Sequence, residues 1–334
     1  MNERYILAVD LGGTFIKFGL FSLSGECVYR WKTETILDNN GDYILFQIAD
    51  EAAKAFAFCG LEPGLLQGVG IGVPGPVIGG SIVNRCVNLG WGVINLRKEL
   101  QKQMTAKGFS DLRIQALNDA NAAALGEYYD GAGKDYRDEA LITLGTGIGC
   151  GIILNGELRE GAFGGAGEIG HFLMDPNEQE YCGCGKRGCL EQYAAAGGIV
   201  RRARQQMEKY DTPSVLRHIP DLTARDVLDA AREDDPFGLD AARFSGSMIG
   251  RALSYISGTV DPEAFLIGGG ISEAGSVIME PIREAFRKNA FHVSRDTVIR
   301  TAELKNDAGI YGAFHAVRRE IGERPRRSGR QSEK

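Results

Sequence analysis

Apolar positions open the chain as a strand, Tyr5-Ile6-Leu7-Ala8-Val9, which stops at Asp10. They resume from Ile16 to Phe21 after the Gly12-Gly13 pair, and again from Cys27 to Trp31 after Gly25. Three short runs punctuated by glycine predict a β-meander. The period then changes: apolar residues recur at helical spacing from Tyr43 to Phe58, and a strand from Val69 to Val73 runs into Pro74-Gly75-Pro76. A helix between strands implies a parallel crossover. Beyond it the pattern predicts a helix from Leu96 to Ala106, a strand from Leu112 to Leu117 ending in Asn118-Asp119, and an alanine-rich helix from Ala120 to Tyr128. Asp119 reads as the N-cap of that helix. Polar residues thus collect at strand C-termini, where open α/β sheets place ligand groups.

The N-terminal hairpin has a counterpart. Gly13-Thr14-Phe15-Ile16-Lys17-Phe18-Gly19 and Gly145-Thr146-Gly147-Ile148-Gly149-Cys150-Gly151 both read G-T-x-I-x-x-G after an apolar strand. A duplicated unit at the head of each half would set two glycine turns across a cleft. Such turns suit phosphates, because unpaired N–H groups converge on an anion with no side chain in the way. Other phosphate motifs do not compete. Gly183-Cys184-Gly185-Lys186 is followed by Arg187 rather than Ser or Thr, and Gly70-Ile71-Gly72-Val73-Pro74-Gly75 is followed by Pro76 instead of a helix. Gly268-Gly269-Gly270 precedes Ile271-Ser272-Glu273, a helix start that could receive nucleotide.

Composition narrows the chemistry. The 334 residues are 43% apolar and 25% charged, enough for two packed lobes. A net charge of -6 argues against general attraction to nucleic acid or an anionic membrane, leaving small-molecule chemistry as the better reading. No run approaches the roughly 18 apolar residues of a membrane span, and the first strand leaves no room for a signal peptide, so a cytoplasmic location is expected. Of seven cysteines, Cys27, Cys59, Cys86 and Cys150 lie apart and read as buried thiols. Cys182, Cys184 and Cys189 fall within eight residues and, with His171, make a full tetrahedral set for zinc. Four protein ligands leave no open position, so the ion should be structural. The charged segment from Tyr210 to Asp235 reads as a peripheral helical insertion without a site, and residues 322–334 as a solvated, disordered basic tail.

Taken together, Asp10-Leu11-Gly12-Gly13-Thr14 with Lys17, Asn118-Asp119-Ala120-Asn121-Ala122-Ala123, Leu144-Gly145-Thr146-Gly147-Ile148-Gly149, Glu168-Ile169-Gly170-His171 and the Cys182 to Glu191 segment resemble the ROK family of sugar kinases and repressors. The resemblance runs from about Tyr5 to about Gly312. It implies an actin-like ATPase, hexokinase-type duplicated α/β fold of two lobes with a central cleft. The small lobe would comprise residues 1–117 with a returning helix at about 307–321, and the large lobe 118–306 would carry the zinc site.

Asp119 becomes the general base for phosphoryl transfer to a hydroxyl, although locally a helix cap fits as well. Asn118 would hydrogen-bond a sugar hydroxyl beside it. Glu168, His171 and Glu191 would contact hydroxyls near the anomeric end, with Gly75 and Asn88 on the sugar-side loop. A zinc-bound His171 would give its second N–H to an acceptor, here a sugar hydroxyl. Asp10 goes to the Mg2+–ATP end and Gly12, Gly13, Thr14 and Lys17 to the phosphates. Gly145, Thr146 and Gly147 would hold phosphate from the other lobe, and Gly269 and Gly270 the nucleotide. The cofactors implied are ATP, Mg2+ and structural Zn2+. The sugar is a hexose, glucose first, with N-acetylmannosamine, N-acetylglucosamine, allose or fructose as alternatives. A non-catalytic sugar-binding regulator is the other class; family repressors add an N-terminal DNA-binding domain, and only four residues precede the first strand here. Assembly as a homodimer or tetramer is a family expectation.

Overall fold

The computed structural model describes residues 3–322, so the basic tail expected beyond residue 322 lies outside the described residues. The chain starts with the meander its alternation predicts: β1 (Tyr5–Leu11), β2 (Phe15–Ser22) and β3 (Cys27–Glu34) pair antiparallel in sequence. After a single turn, α1 (Asp38–Gly41), helix α2 (Ile44–Phe58) carries the chain over to β4 (Leu66–Val73), which lies parallel to β1. The segment after Pro74 forms a small antiparallel sheet that the apolar pattern does not signal, of β5 (Val77–Ile78), β6 (Ile82–Cys86) and β7 (Trp91–Asn95). Helix α3 (Leu96–Ala106) then leads to β8 (Arg113–Asn118), parallel to β4.

The same path is drawn a second time. Helix α4 (Asp119–Asp130) leads to the hairpin β9 (Glu139–Leu144) and β10 (Ile148–Leu154), flanked by β11 (Glu157–Leu158). Helices α5 (Glu191–Ala194), α6 (Ala196–Lys209), α7 (Ala224–Arg232) and α8 (Pro236–Val260) precede β12 (Ala264–Gly268), and α9 (Ser276–Asn289) precedes β13 (Val298–Thr301). One sheet runs β3-β2-β1-β4-β8 and the other β11-β10-β9-β12-β13. In both, an antiparallel hairpin is joined on its first strand by two parallel strands. The two G-T-x-I-x-x-G hairpins occupy equivalent places, which makes the repeat a property of the fold.

Helix α10 (Ala308–Glu320) returns to pack on β1, β4 and α4. It can do so because the contact is between backbones. A Cβ at Gly312 would collide with the Ala122 carbonyl, one at Gly126 with that of Ala308, and one at Gly70 with that of Ala313. Large apolar side chains fill the remaining space on the outer faces, Phe18 and Phe56 beside the first sheet and Phe265 and Phe286 beside the second.

Four expectations are corrected. Asn118, not Asp119, caps α4: its Oδ1 accepts from the N–H groups of Ala120 and Asn121 at 3.0 and 3.2 Å. Cys86 and Cys150 are buried, but Cys27 and Cys59 are half-buried, because they lie at the ends of a strand and a helix. The glycines at 268–270 are followed by a 3-10 turn, Gly270–Ala274, and the α-helix starts only at Ser276. The charged segment is no appendage: α7 buries Val227, Leu228, Ala230 and Ala231 in the core beneath the second sheet.

Gly312→Ala is expected to lower stability by about 3 kcal/mol or more, since the helices must separate to admit the methyl group. Urea denaturation reads this directly, and an unshifted midpoint would mean that the contact yields freely.

Candidate active site

At the end of β1, the Gly12-Gly13-Thr14 turn is pinned from β3. The Thr35 hydroxyl donates to Gly12 O at 2.7 Å, and Thr35 N–H donates to Thr14 O at 2.9 Å. Lys17 on β2 reaches back rather than outward, with Nζ 3.0 Å from Asp10 Oδ2 and 2.9 Å from Asn306 O. The lysine predicted to meet phosphate is thus held beside the carboxylate predicted for the Mg2+ end. Asp10 also sits against the first turn of α10, where a Cβ at Gly309 would come within 3.1 Å of both carboxylate oxygens. Gly13 faces Asn88 of the 3-10 turn Val87–Leu89, a Cβ there lying 3.7 Å from Asn88 O.

Asp119 begins α4 where β8 ends. With Asn118 as the cap, its carboxylate spends one contact on local structure, Ala120 N–H to Oδ1 at 2.8 Å. Water reaches Asp119, yet the surrounding walls desolvate it. That desolvation, with the negative charges of Asp10 and Glu168 nearby, outweighs the Ala120 N–H and pushes the carboxyl up to about 6. Beside it, Asn118 Nδ2 donates to Gly75 O at 3.3 Å, and the Cys86 thiol donates to Pro74 O at 2.8 Å. The loop predicted to face a sugar is therefore anchored by a buried cysteine that carries no motif.

The cysteine-rich segment closes on itself as the spacing predicts. One ligand atom from each of His171, Cys182, Cys184 and Cys189 lies within 4.8 Å of the others. Cys182 Sγ is 3.8 Å from His171 Nδ1, and Cys184 Sγ is 3.6 Å from Cys189 Sγ. A tetrahedron with bonds of about 2.3 Å has edges of about 3.8 Å, so the donor set fits zinc in both type and spacing. His171 turns Nδ1 to the sulfurs and Nε2 toward Glu168, 3.8 Å from its Oε2. The second nitrogen thus faces the Glu168 carboxylate from beyond hydrogen-bond distance. Glu191 opens α5 with Oε1 2.8 Å from Cys182 Sγ and 3.6 Å from His171 Nδ1. Its other oxygen faces the second hairpin, 3.5 Å from the Cβ positions of Gly147 and Gly170. The glycine turn and the metal knot therefore meet at one carboxylate.

Gly145 and Thr146 also line a cavity of about 410 Å3 with Gly270 and Ile271. Its far wall is α7, through Ala224, Arg225, Leu228, Asp229 and Arg232. The volume and mixed lining suit a drug-sized ligand. Arg232 ties this wall to the glycine-rich turn, donating to the carbonyls of Glu273 and Ala274 while pairing with Asp229. This segment is helical, as its sequence predicts, but its place beside the cavity carries no sequence signal, because charge interrupts the apolar stripe of α7. Gly269 sits at φ +82°, where a Cβ would lie 2.3 Å from Leu144 O, so this turn requires glycine. A larger groove of about 590 Å3 between α8 and α9 contains none of the predicted site residues.

Twin α/β halves, glycine turns at equivalent hairpins and a cleft carboxylate define the actin-like, hexokinase-type class of phosphotransferase. The ROK family model matches residues 6–320. A glucokinase of Halalkalibacterium halodurans is 35% identical over 325 residues, spanning 96% of this chain and 97% of its own. A ROK family glucokinase from Streptomyces griseus, solved with glucose and AMPPNP, matches 94% of this chain and 99% of its own at 33% identity and a TM-score of 0.76. A ROK family transcriptional regulator, a homolog of the E. coli MLC protein, matches at 26% identity and a TM-score of 0.83, with 78% of its own length covered. The chain belongs to the ROK family and is an ATP-dependent sugar kinase.

Elemental analysis of the purified protein should find roughly one zinc per chain, and Cys184→Ser should lose most of it, because three ligands bind far more weakly than four. Full zinc content in that variant would remove Cys184 from the ligand set.

Proposed function

We propose that the protein transfers the γ-phosphoryl group of ATP to the 6-hydroxyl of glucose, with Asp119 as general base. The supporting observation is the Asp119 carboxylate itself, free of the capping role, open to the cleft and raised to about 6. A base of that strength is ionised at neutral pH yet still takes a proton from a hydroxyl as its oxygen attacks phosphorus. Little covalent chemistry is asked of the protein beyond this; alignment and charge placement do the rest.

The sugar would lie between Asn118 and Asp119 at its reacting end and Glu168, His171 and Glu191 at the other, with Gly75 and Asn88 along its edge. ATP would place its base against α7 and its phosphates at Gly145, Thr146 and Gly147, facing Gly12, Gly13 and Thr14, with Gly270 at the nucleotide and Gly269 shaping that turn. Asp10 and Lys17 would hold the phosphate end, where Mg2+ supplies charge neutralisation when bound. Zinc, held by His171, Cys182, Cys184 and Cys189, supplies local rigidity and leaves no coordination position for substrate. A small lobe of residues 1–117 with the returning helix at about 307–321, and a large lobe of 118–306, would meet at the β8–α4 junction. Among the described residues no helix is long and apolar enough to cross a membrane.

The rate on limiting glucose should fall about tenfold per pH unit below about pH 6 and level off above it, as Asp119 loses its proton and becomes competent. Asp119→Asn should cut kcat by about 10² to 10⁴ while glucose binding survives. Retained turnover would remove Asp119 from the role of base. Glucose binding without turnover in the unaltered chain would favour a sugar-sensing regulator. A panel of glucose, N-acetylmannosamine, N-acetylglucosamine, allose and fructose assigns the acceptor, and a higher kcat/KM for any other sugar displaces glucose.

A further inference from the structure

Among the described residues, the chain passes between the two large sheets twice. It leaves β8 through α4 and the segment after it to reach β9, and it returns from β13 through residues 302–307 to α10. These two crossings are the covalent connections about which the halves can turn. Both end at one side chain.

Glu127 lies two turns along α4 from Asp119 and is fully buried. Its Oε2 accepts from Ala132 N–H at 2.8 Å, on the outgoing crossing. The same oxygen accepts from Glu303 N–H at 3.0 Å, and Oε1 accepts from Leu304 N–H at 2.6 Å, both on the returning one. Two residues further on, Asn306 O receives the Lys17 ammonium that also pairs with Asp10. A single carboxylate thus binds the outgoing crossing to the returning one. It does so on the helix that carries the proposed base, beside the turn that supports the phosphate end.

We infer that Glu127 is a positioning residue, the pivot that keeps the two crossings in register while the lobes close on sugar and nucleotide. The reasoning is chemical as well as geometric. Three N–H donors converge on this carboxylate, and an amide in its place can offer only one oxygen and must turn an NH2 toward a donor. Loosening there separates the crossings without touching substrate. A misplacement of about 1 Å at a reacting centre costs about 10²-fold in rate, and incomplete closure admits water as a competing acceptor. Water attack on ATP yields ADP and inorganic phosphate, whereas transfer to sugar yields ADP and sugar phosphate. The ratio of ADP to sugar phosphate therefore reports closure separately from folding. The inference rests on the sugar kinase reaction, not on Asp119 being its base.

The test is Glu127→Gln in the full chain with saturating ATP and glucose. The expected result is a kcat lower by about 10- to 100-fold, with the ratio of ADP to sugar phosphate rising above the near-unity value of the unaltered enzyme. A folded variant with unchanged kcat overturns the inference, and so does one whose kcat falls while the ratio stays at unity, since that marks a merely structural residue. Should Glu127→Gln not fold, the same two readings on Glu127→Asp decide by the same criteria. Loss of the base leaves the crossings intact, so an Asp119 reading that fails does not alter the expected ratio for Glu127.

Discussion

The contact between α4 and α10 is made backbone to backbone, and the remaining architecture follows from how close it is. Gly126 and Gly312 remove the side chains that would hold the two helices apart, and Gly70 lets α10 settle on β4. Neither helix belongs to one sheet alone: α4 touches strands of both, and α10 packs on the first sheet just after the chain has left the second. Bringing them together draws the C-terminal end of β8 beside the first turn of α10. Asp119 starts one helix and Asp10 rests against the start of the other. The two carboxylates are neighbours through β4, which pairs Gly72 with Asp10 on one side and with Leu117 on the other, and the close helix crossing seats the start of α10 beside them.

That closeness has an electrostatic cost which the proposed chemistry would use. Desolvation is the main cause of the raised Asp119 carboxyl, and the negative charges of Asp10 and Glu168 add to it. A carboxylate placed there would be a poor structural device, since among the described residues no cation pairs with it, and the cap that such a position normally supplies has passed to Asn118. Raised proton affinity is what a base for a sugar hydroxyl requires. On the opposite wall the cysteine-rich knot would work by position instead of reactivity. It sets Glu191 between the proposed zinc ligands and the second glycine hairpin, so one element spans the proposed sugar and phosphate regions.

Much of this was readable from the chain because it is local. The hairpins, the helix over Ile44–Phe58 and the helix over Leu96–Ala106 are written in period and glycine placement, and the three cysteines and His171 are brought together by loop closure over a short span. What escaped depends on distant partners. Asn118 and Asp119 are equally good caps by type, and only the backbone geometry at 118 decides between them. The short apolar stripe of α7 is interleaved with charge and flanked by Pro220 and Pro236, and the core that its apolar face enters is built from α6 and α8. The sheet β5–β7 is too short to carry a pattern of its own. Glu127 has no motif at all, since its partners are main-chain N–H groups, two of them far along the chain.

The proposed chemistry depends on where the acceptor hydroxyl lies, and a crystal structure of the protein with glucose and a non-hydrolysable ATP analogue measures that position. The sugar 6-hydroxyl is expected within about 2.6–3.2 Å of an Asp119 carboxylate oxygen and in line with the γ-phosphorus, with Glu168 and Glu191 on hydroxyls at the far end of the ring. A sugar whose 6-hydroxyl lies beyond hydrogen-bond reach of Asp119, or against another side chain, would contradict it.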